Sequence, residues 1–257
     1  MDMGGGRIVD LDIRSFFDDI DWRHLRRFLD RRVRDGVIRR AIGKWLNAGV
    51  MESGEVSHPD RGTPQGGVVS PLLSNLYLHE VLDVWFEHEV KPRLAGRAFE
   101  IRFADDAALV FEREEDARRV LAVLSKRFAR YGLCLHPEKT RLVDFRSPPR
   151  AGRDGSQGER SFELLGFSHF WGRSRKGRWV VKRKTAKDRF TRALREVGRW
   201  CRAHRHWPVA VQQAALRRKL QGHYAYYGIT GNGRALARFL YEVWRLWRKW
   251  LDRRSWH

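Results

Sequence analysis

Phe103-Ala104-Asp105-Asp106 sets two acids between two apolar runs, and its reading decides the fold. Ile101 and Phe103 lead in; Ala107, Ala108, Leu109, Val110 and Phe111 lead out. Two short apolar strands meeting at a two-acid turn predict a β-hairpin with both carboxylates at its tip. Adjacent carboxylates repel, and each raises the other's pKa unless a cation lies between them. Mg²⁺ is the natural partner, a hard ion that prefers oxygen ligands and keeps positions open for substrate phosphates. Asp is also common in turns for conformational reasons, so the pair alone leaves that bland reading open.

Residues 8–19, Ile-Val-Asp-Leu-Asp-Ile-Arg-Ser-Phe-Phe-Asp-Asp, alternate and then enter a turn. A period of two puts Asp10 and Asp12 on one strand face and Val9, Leu11 and Ile13 on the other. A carboxylate from this strand beside the hairpin tip would supply the third acid of a two-metal site, whose ions lie roughly 3.5–4 Å apart. Asp18, Asp19 and Asp21 read instead as caps of the next helix, because Trp22, Leu25, Phe28, Leu29 and Val33 follow with helical spacing.

Between these segments lies Arg61-Gly-Thr-Pro-Gln-Gly-Gly67. Gly66 and Gly67 let a backbone approach a ligand closely, and Gln65 offers an amide beside them. Ser70 and Pro71 read as an N-cap and a first helical residue. Leu72, Leu73, Leu76, Val81, Leu82, Trp85 and Phe86 then continue as a buried helical face. A Gly-rich loop feeding a helix suits phosphate or nucleotide contact, although a Gly-Gly pair is more often only a turn.

Taken in order, these segments resemble the palm of reverse transcriptases, most closely the bacterial group II intron reverse transcriptase/maturase family. Leu11-Asp-Ile-Arg-Ser-Phe-Phe-Asp18 is similar to the first palm motif, which implies a metal-binding role for Asp12. It also implies that Phe17 lies under the nucleotide sugar and disfavours a 2′-hydroxyl. Thr63-Pro-Gln-Gly-Gly-Val-Val-Ser-Pro71 resembles the loop whose glutamine, here Gln65 followed by Gly66, contacts the incoming nucleotide. Phe103-Ala-Asp-Asp106 resembles the Tyr-Ala-Asp-Asp box. Asp105 and Asp106 are thereby implied as metal ligands, and Phe103 replaces the usual tyrosine at the nucleotide site. Gly132-Leu-Cys-Leu-His-Pro-Glu-Lys-Thr140 continues the resemblance and implies Lys139 as proton donor to the departing pyrophosphate; a solvated turn lysine is the alternative. Phe162-Glu-Leu-Leu-Gly-Phe167 resembles the hairpin that grips the primer end through Leu165, Gly166 and Phe167.

The charge distribution agrees. Residues 1–145 hold 24 Lys+Arg and 24 Asp+Glu, whereas residues 146–257 hold 28 and 7, which accounts for the whole net charge of +21. So lopsided a region implies a polyanionic partner. If it neutralises about 6–10 phosphates, affinity should fall roughly 10³–10⁵-fold between 50 and 200 mM salt. Aromatics are interleaved with the charge, among them Trp171, Trp179, Trp200, Trp207, Tyr224, Trp244 and Trp250. Some should fill a core and some could stack on bases. No segment is amphipathic and apolar enough to anchor in a membrane, so RNA is favoured over a lipid surface.

Leu220-Gln-Gly-His-Tyr-Ala-Tyr-Tyr-Gly-Ile-Thr-Gly-Asn232, with Arg245-Leu-Trp-Arg-Lys-Trp-Leu-Asp-Arg-Arg-Ser255, resembles the maturase or thumb domain of the same family. This implies binding of the intron RNA, carried by cations such as Arg183, Lys184, Lys187, Arg217, Arg218 and Lys219. The Tyr-rich stretch itself reads mainly as helix–helix packing followed by a turn.

The expected fold class is α+β: a palm of antiparallel sheet packed on helices, followed by an all-α thumb or maturase bundle. The palm should span residues 1–145, a linker and primer-grip hairpin 146–185, and the helical domain 186–257. Palm strands are predicted near 7–13, 99–104, 107–112 and 140–145, with helices near 22–34, 38–48, 70–90 and 114–131. The bundle should use helices near 186–205, 208–227 and 233–254. Gly49 and Gly132 fall where helix C-terminal glycines belong. Cys134 and Cys201 lack metal-ligand spacing and read as reduced thiols of a cytoplasmic protein.

Relatives carry a fingers region ahead of the first palm motif, and here only six residues precede the strand. The expectation is therefore a truncated copy, an intron remnant or a misplaced start, with polymerisation implied for an intact version rather than for this polypeptide alone. The implied reaction is attack of a primer 3′-hydroxyl on a deoxynucleotide paired to an RNA template, with two Mg²⁺ ions held by Asp12, Asp105 and Asp106. Two rivals stand beside it: a catalytically idle, RNA-binding maturase remnant, and a metal-dependent nuclease. A nuclease has no need of Gln65, Phe17 or a grip hairpin. Oligomeric state is not legible.

Overall fold

Alternation along the first strand sets the architecture. In the structure, a computed structural model, the described residues are 6–254 apart from 49, 53–54, 58–59, 64–66, 147 and 149–159. Strand β1 (Arg7–Leu11) buries Val9 and Leu11 on one face and carries Asp10 on the other. The chain resumes as β2 (Ile13–Arg14) and enters a tight turn in which Ser15 has a φ of 45°. Helices α1 (Trp22–Arg32) and α2 (Gly36–Leu46) follow. Asp21 caps α1 by accepting from the Arg23 amide, and Asp35 caps α2 through the Val37 and Ile38 amides. A hairpin of β3 (Val50–Glu52) and β4 (Glu55–Ser57) leads to α3 (Ser70–Leu78).

Beyond α3 the helical path continues through two π turns, His79–Asp83 and Phe86–Val90, and a 3₁₀ turn, Lys91–Arg93. Strands β5 (Ala98–Phe103) and β6 (Asp106–Phe111) form the expected hairpin. Helix α4 (Glu114–Ala129), β7 (Cys134–Leu135) and β8 (Arg141–Asp144) complete this part. Gly132, at a φ of 74°, ends the α4 region in the left-handed conformation that glycine adopts without strain.

The central sheet has the order β5-β6-β1-β8, and every pairing in it is antiparallel. Its helix-facing side sets Val9, Leu11, Ala107, Leu109 and Phe111 against Leu25, Phe28, Tyr77, Leu82, Phe86 and Phe128 in one buried cluster. Each such fully buried side chain contributes about 1.5–3 kcal/mol over its exposed state.

The chain divides into two compact units, residues 1–147 and 148–257. In the second, β9 (Phe162–Leu164), β10 (Phe167–Arg173) and β11 (Trp179–Thr185) form an antiparallel sheet of order β11-β10-β9. Helices α5 (Lys187–Ala203), α6 (Val209–Tyr227) and α7 (Gly233–Leu251) pack around Val197, Cys201, Leu216, Phe239 and Val243. Among the described residues no helix is long and apolar enough to cross a membrane. Both cysteines are free thiols, Cys134 exposed and Cys201 buried.

Local details depart from the sequence expectations. Of the three acids read as caps only Asp21 caps; Asp19 pairs with Arg61 at 3.7 Å. Val69, not Ser70, is the N-cap of α3, and Ser70 is the first helical residue and buried. Leu72, expected in the core, is 69% exposed and borders an apolar groove with Ile38, Trp45 and Val69. Tyr77 and Leu78 are buried in its place. Buried positions here recur every fourth residue, Leu73-Tyr77-Val81-Trp85 and Leu78-Leu82-Phe86-Val90, and the expected Val81, Leu82, Trp85 and Phe86 are all among them. Gly49 lies outside the described residues.

Candidate active site

Strand register gathers the acids. The β1–β6 register ends with Leu11 opposite Ala107; Asp12 directly follows Leu11 and Asp106 directly precedes Ala107. Asp106 in turn pairs with Phe103 across the hairpin. On the other side the β1–β8 register ends with Asp10 opposite Arg141, and Lys139 lies in the turn that precedes β8. Directly opposed residues of antiparallel strands share a face. Phe103 and Asp106 therefore share a row on the side of the sheet away from the helical core, the side that Asp10 also occupies, and Asp12 and Lys139 lie just beyond the ends of the ladder. Asp105 precedes Asp106 in the two-residue loop, whose other member, Ala104, has a φ of 54°.

Backbone contacts hold Asp12 where β1 gives way to β2. The His136 amide donates to its carbonyl at 2.8 Å, and Thr140 Oγ1 lies 3.3 Å from the same oxygen. Lys139 Nζ meets Asp12 Oδ2 at 3.3 Å, with both side chains substantially exposed. An exposed pair of this kind contributes roughly 0–1 kcal/mol, so it yields readily to a stronger ligand. The next row carries Ile101, Ala108, Asp10 and Arg141, with Arg141 Nε 3.9 Å from Asp10 Oδ2.

Arg102 supports the hairpin tip from the opposite face. Its Nε and Nη2 each donate to Asp83 at 2.6 Å, and Nη1 donates to Asn75 Oδ1 at 3.0 Å and to the Ala104 carbonyl at 2.9 Å. His79 Nδ1 lies 3.1 Å from the same Asp83 carboxylate. Burial, then hydrogen bonding to and repulsion by Asp83, push Glu100 up to about 8. Burial also acts to raise Asp83, but bonds from Arg102, Glu100 and His79 outweigh it and hold that carboxyl below its ordinary range. Glu100 is thus the protonated partner of an ionised Asp83 at neutral pH, a proton shared because two half-buried carboxylates cannot both ionise cheaply.

The Gly-rich loop is knit to the turn bearing Phe17, which is half-buried against the core. The Thr63 amide donates to the Phe17 carbonyl at 2.7 Å, the Gly62 amide to Ile20 at 2.7 Å, and Trp22 Nε1 to Gly62 at 2.6 Å. At Gly62, with a φ of 81°, a Cβ would lie 2.8 Å from the Asp18 oxygen and 2.9 Å from that of Phe17. No other residue allows so close an approach. Gln65 and Gly66 lie outside the described residues; the chain leads to them two residues beyond the Thr63 bond.

The donors at the hairpin tip and at Asp12 are carboxylate oxygens, the chemistry a hard divalent ion takes. Among the described residues no group of three such side chains is gathered closely enough to hold an ion, and Asp12 faces Lys139. The donor set fits Mg²⁺ by type, with Asp12, Asp105 and Asp106 the residues that would hold it.

In the second unit, Leu165 and Gly166, with φ of 54° and 71°, form the two-residue turn between β9 and β10. Both positive values suit a hairpin turn of the I′ type. Tyr226 donates its hydroxyl to the Leu165 carbonyl at 2.9 Å, and Phe167 packs between Tyr226 and Tyr227, with ring centroids at 5.9 and 5.3 Å. Asn232 is 1% exposed and completes the joint. Its amide nitrogen donates to Thr185 Oγ1 and the Tyr227 carbonyl, both at 2.9 Å, and its oxygen accepts from the Thr185 amide at 3.0 Å. The Tyr-rich stretch therefore docks the hairpin as well as packing helices, the latter through His223 stacked 3.8 Å from Phe239.

The six cations read as RNA contacts are all exposed but do not share one face. Arg183 and Lys184 are neighbours on β11 and so point to opposite sides; Lys184 lies 5.1 Å from the Phe170 ring centre. Lys187 opens α5. Arg217, Arg218 and Lys219 are consecutive on α6 and fan round it about 100° apart. Arg102 escaped the sequence reading, and the particular contacts of Thr140, Tyr226 and Asn232 were not among its expectations. The available signal for Arg102 was a cation alternating into the inner face of an apolar strand.

Three comparisons bear on this arrangement. A family model described as reverse transcriptase (RNA-dependent DNA polymerase) matches residues 5–169. The chain is 34% identical over 137 residues to the group II intron-encoded protein LtrA of Lactococcus lactis subsp. cremoris, covering 49% of this chain and 23% of that protein. It is 28% identical over 159 residues to a retrovirus-related Pol polyprotein from the type-1 retrotransposable element R2 of Popillia japonica, covering 56% of this chain and 26% of that one. The chain thus spans about a quarter of the length of these relatives. Among solved structures, telomerase from Candida albicans in complex with a TWJ fragment of telomeric RNA aligns at a TM-score of 0.49 and 13% identity, over 98% of this chain and 41% of that one.

Proposed function

Because the chain belongs to the reverse transcriptase (RNA-dependent DNA polymerase) family, we propose that it acts in an intron-encoded protein that copies RNA into DNA and binds intron RNA. The observation that carries the reading is the hairpin tip bearing Asp105 and Asp106 beside the end of β1, where Asp12 follows Leu11 and meets Lys139 at 3.3 Å.

In this reading Asp12, Asp105 and Asp106 hold two Mg²⁺ ions, which supply activation of a primer 3′-hydroxyl and neutralise charge on the departing pyrophosphate. Phe103, at the end of the row, offers an exposed ring to the nucleotide. The Phe17 carbonyl accepts from the Thr63 amide, and in this reading Phe17 lies under the sugar while Gln65 and Gly66 contact the incoming nucleotide. Lys139, once released from Asp12, carries a proton beside that carboxylate. Leu165, Gly166 and Phe167 present a rigid hairpin turn to the primer strand, and the excess of cations in the second unit meets the phosphates. The substrates are thus an RNA template with a DNA primer and deoxynucleoside triphosphates, and the further partner is intron RNA.

The test is incorporation of a labelled deoxynucleotide on an RNA template with a DNA primer in Mg²⁺. Asp105→Ala should abolish incorporation while RNA binding persists; undiminished incorporation in that variant would remove the metal assignment. A second reading, an RNA-binding maturase with idle acids, is favoured by the Asp12–Lys139 pair. It predicts Mg²⁺-independent RNA binding and no incorporation by either protein.

A further inference from the structure

Helix α7 is amphipathic in an unusual sense, because both of its faces carry aromatics. Phe239 and Val243 are buried in the core of the second unit, where Trp247 and Trp250 also pack. On the opposite face Tyr241 is 57% exposed and Trp244 50% exposed. Fully apolar packing does not explain this pair, since a three-helix core already has its side of the helix.

The outward rings are arranged. Tyr241 and Trp244 lie with centroids 6.5 Å apart and planes only 27° from parallel. The Arg245 guanidinium lies 5.8 Å from the Tyr241 ring centre and that of Arg248 5.6 Å from the Trp244 ring centre. Glu242, at 3.2 Å from Arg245, and Asp252, at 3.9 Å from Arg248, hold the two guanidinium groups in place. Three or four residues separate each partner, the spacing at which side chains on a helix meet. The result is a short exposed ladder of flat groups, two neighbouring rings with a guanidinium at either end.

We propose that this ridge, Tyr241-Trp244-Arg245-Arg248, is a stacking platform for unpaired bases of single-stranded RNA. The inference rests on the RNA-binding reading above and adds a site to it, separate from the six cations assigned there. Flat aromatic and guanidinium groups beside cations are what splayed bases and their phosphates require. Charge favours this occupant: α7 carries five Arg or Lys against one Glu. A second copy of the chain would bring a like charge of +21 to the contact. A lipid surface would need the helix's wide apolar face, which the core already occupies.

The test uses the full chain and fluorescence anisotropy with an unstructured single-stranded RNA and, separately, an RNA duplex of equal length. Stacked bases lose roughly 5- to 150-fold in affinity per ring removed. Tyr241→Ala with Trp244→Ala should therefore weaken single-strand binding by at least the lower figure and leave duplex binding unchanged. No cation is removed, so the salt dependence of single-strand binding should keep its slope. Trp244→Phe, which keeps a ring, should restore most of the loss caused by Trp244→Ala. Wild-type affinity in the double variant would overturn the proposal, as would equal losses on single strand and duplex. Binding of anionic vesicles that depends on the two rings, with RNA binding intact, would assign the ridge to lipid instead. Absence of RNA binding by the unaltered chain would remove the underlying reading and the ridge together.

Discussion

Arg102 donates to the carbonyl oxygen of Ala104 at 2.9 Å, tying the loop that carries Asp105 to a guanidinium already clamped on Asp83. Ala104 sits at a φ of 54°, a region that disfavours residues with a Cβ, so the loop needs an external hold. The clamp reaches Asn75 on α3 and Asp83 in the following π turn, fixing the hairpin tip to the helical layer.

Removal of that clamp should be costly. Arg102→Ala leaves a partly buried Asp83 without its bidentate partner, and hydrogen bonds to charged groups contribute about 1.5–3 kcal/mol each way. Urea unfolding of the chain should show a loss in that range. Arg102→Lys should recover little, because a point charge cannot span Asp83, Asn75 and Ala104 at once. A change below the error of the unfolding curve in both variants would sink this role.

Glu100 makes stability depend on pH in the alkaline direction. Its folded pKa of about 8 lies above the ordinary 4.5, so the folded state holds a proton that the unfolded chain has released between those values. The stabilisation is complete below pH 4.5 and is lost as pH rises through about 8. Asp83, whose folded pKa is lowered, acts oppositely, its contribution fading only as pH falls into the acid range. Glu100→Gln keeps a donor toward Asp83 and removes the titration. Denaturation midpoints measured from pH 5 to 9 should therefore flatten in that variant, and an unchanged slope would place the titration elsewhere.

Asn232 joins the hairpin of the second unit to the end of α6. Asn232→Ala strands the Thr185 amide and takes a donor from Thr185 Oγ1, and a buried unsatisfied group costs about 1–3 kcal/mol. A fall in melting temperature should accompany it. Asn232→Asp, which buries a carboxylate against the Tyr227 carbonyl, should melt at least as low as Asn232→Ala. If neither variant melts below the parent, the joint is not where the stability lies.

Much of this was legible because it is local. Asp105 and Asp106 interrupt two apolar runs, Val9 and Leu11 alternate with Asp10 and Asp12, and Asp21 precedes a helical stripe; each pattern needs only neighbours in sequence. Leu72 misled because it stands beside Leu73 in an apolar run, whereas the inward face of α3 runs through Leu73, Tyr77 and Leu78. Arg102 and Asn232 were silent because their partners, Asp83 and Thr185, lie 19 and 47 residues away. The Asp12–Lys139 pair spans 127 residues and was not expected; the family motif implied Lys139 only as a proton donor.

The central claim is that Asp12, Asp105 and Asp106 form a divalent-metal site on the open face of the sheet. Electron paramagnetic resonance titration with Mn²⁺, an oxygen-preferring stand-in for Mg²⁺, tests it without requiring turnover. The account predicts bound Mn²⁺ in the unaltered chain, displaced by excess Mg²⁺ and lost in Asp12→Asn with Asp106→Asn. An identical binding isotherm in the doubly substituted chain would contradict it.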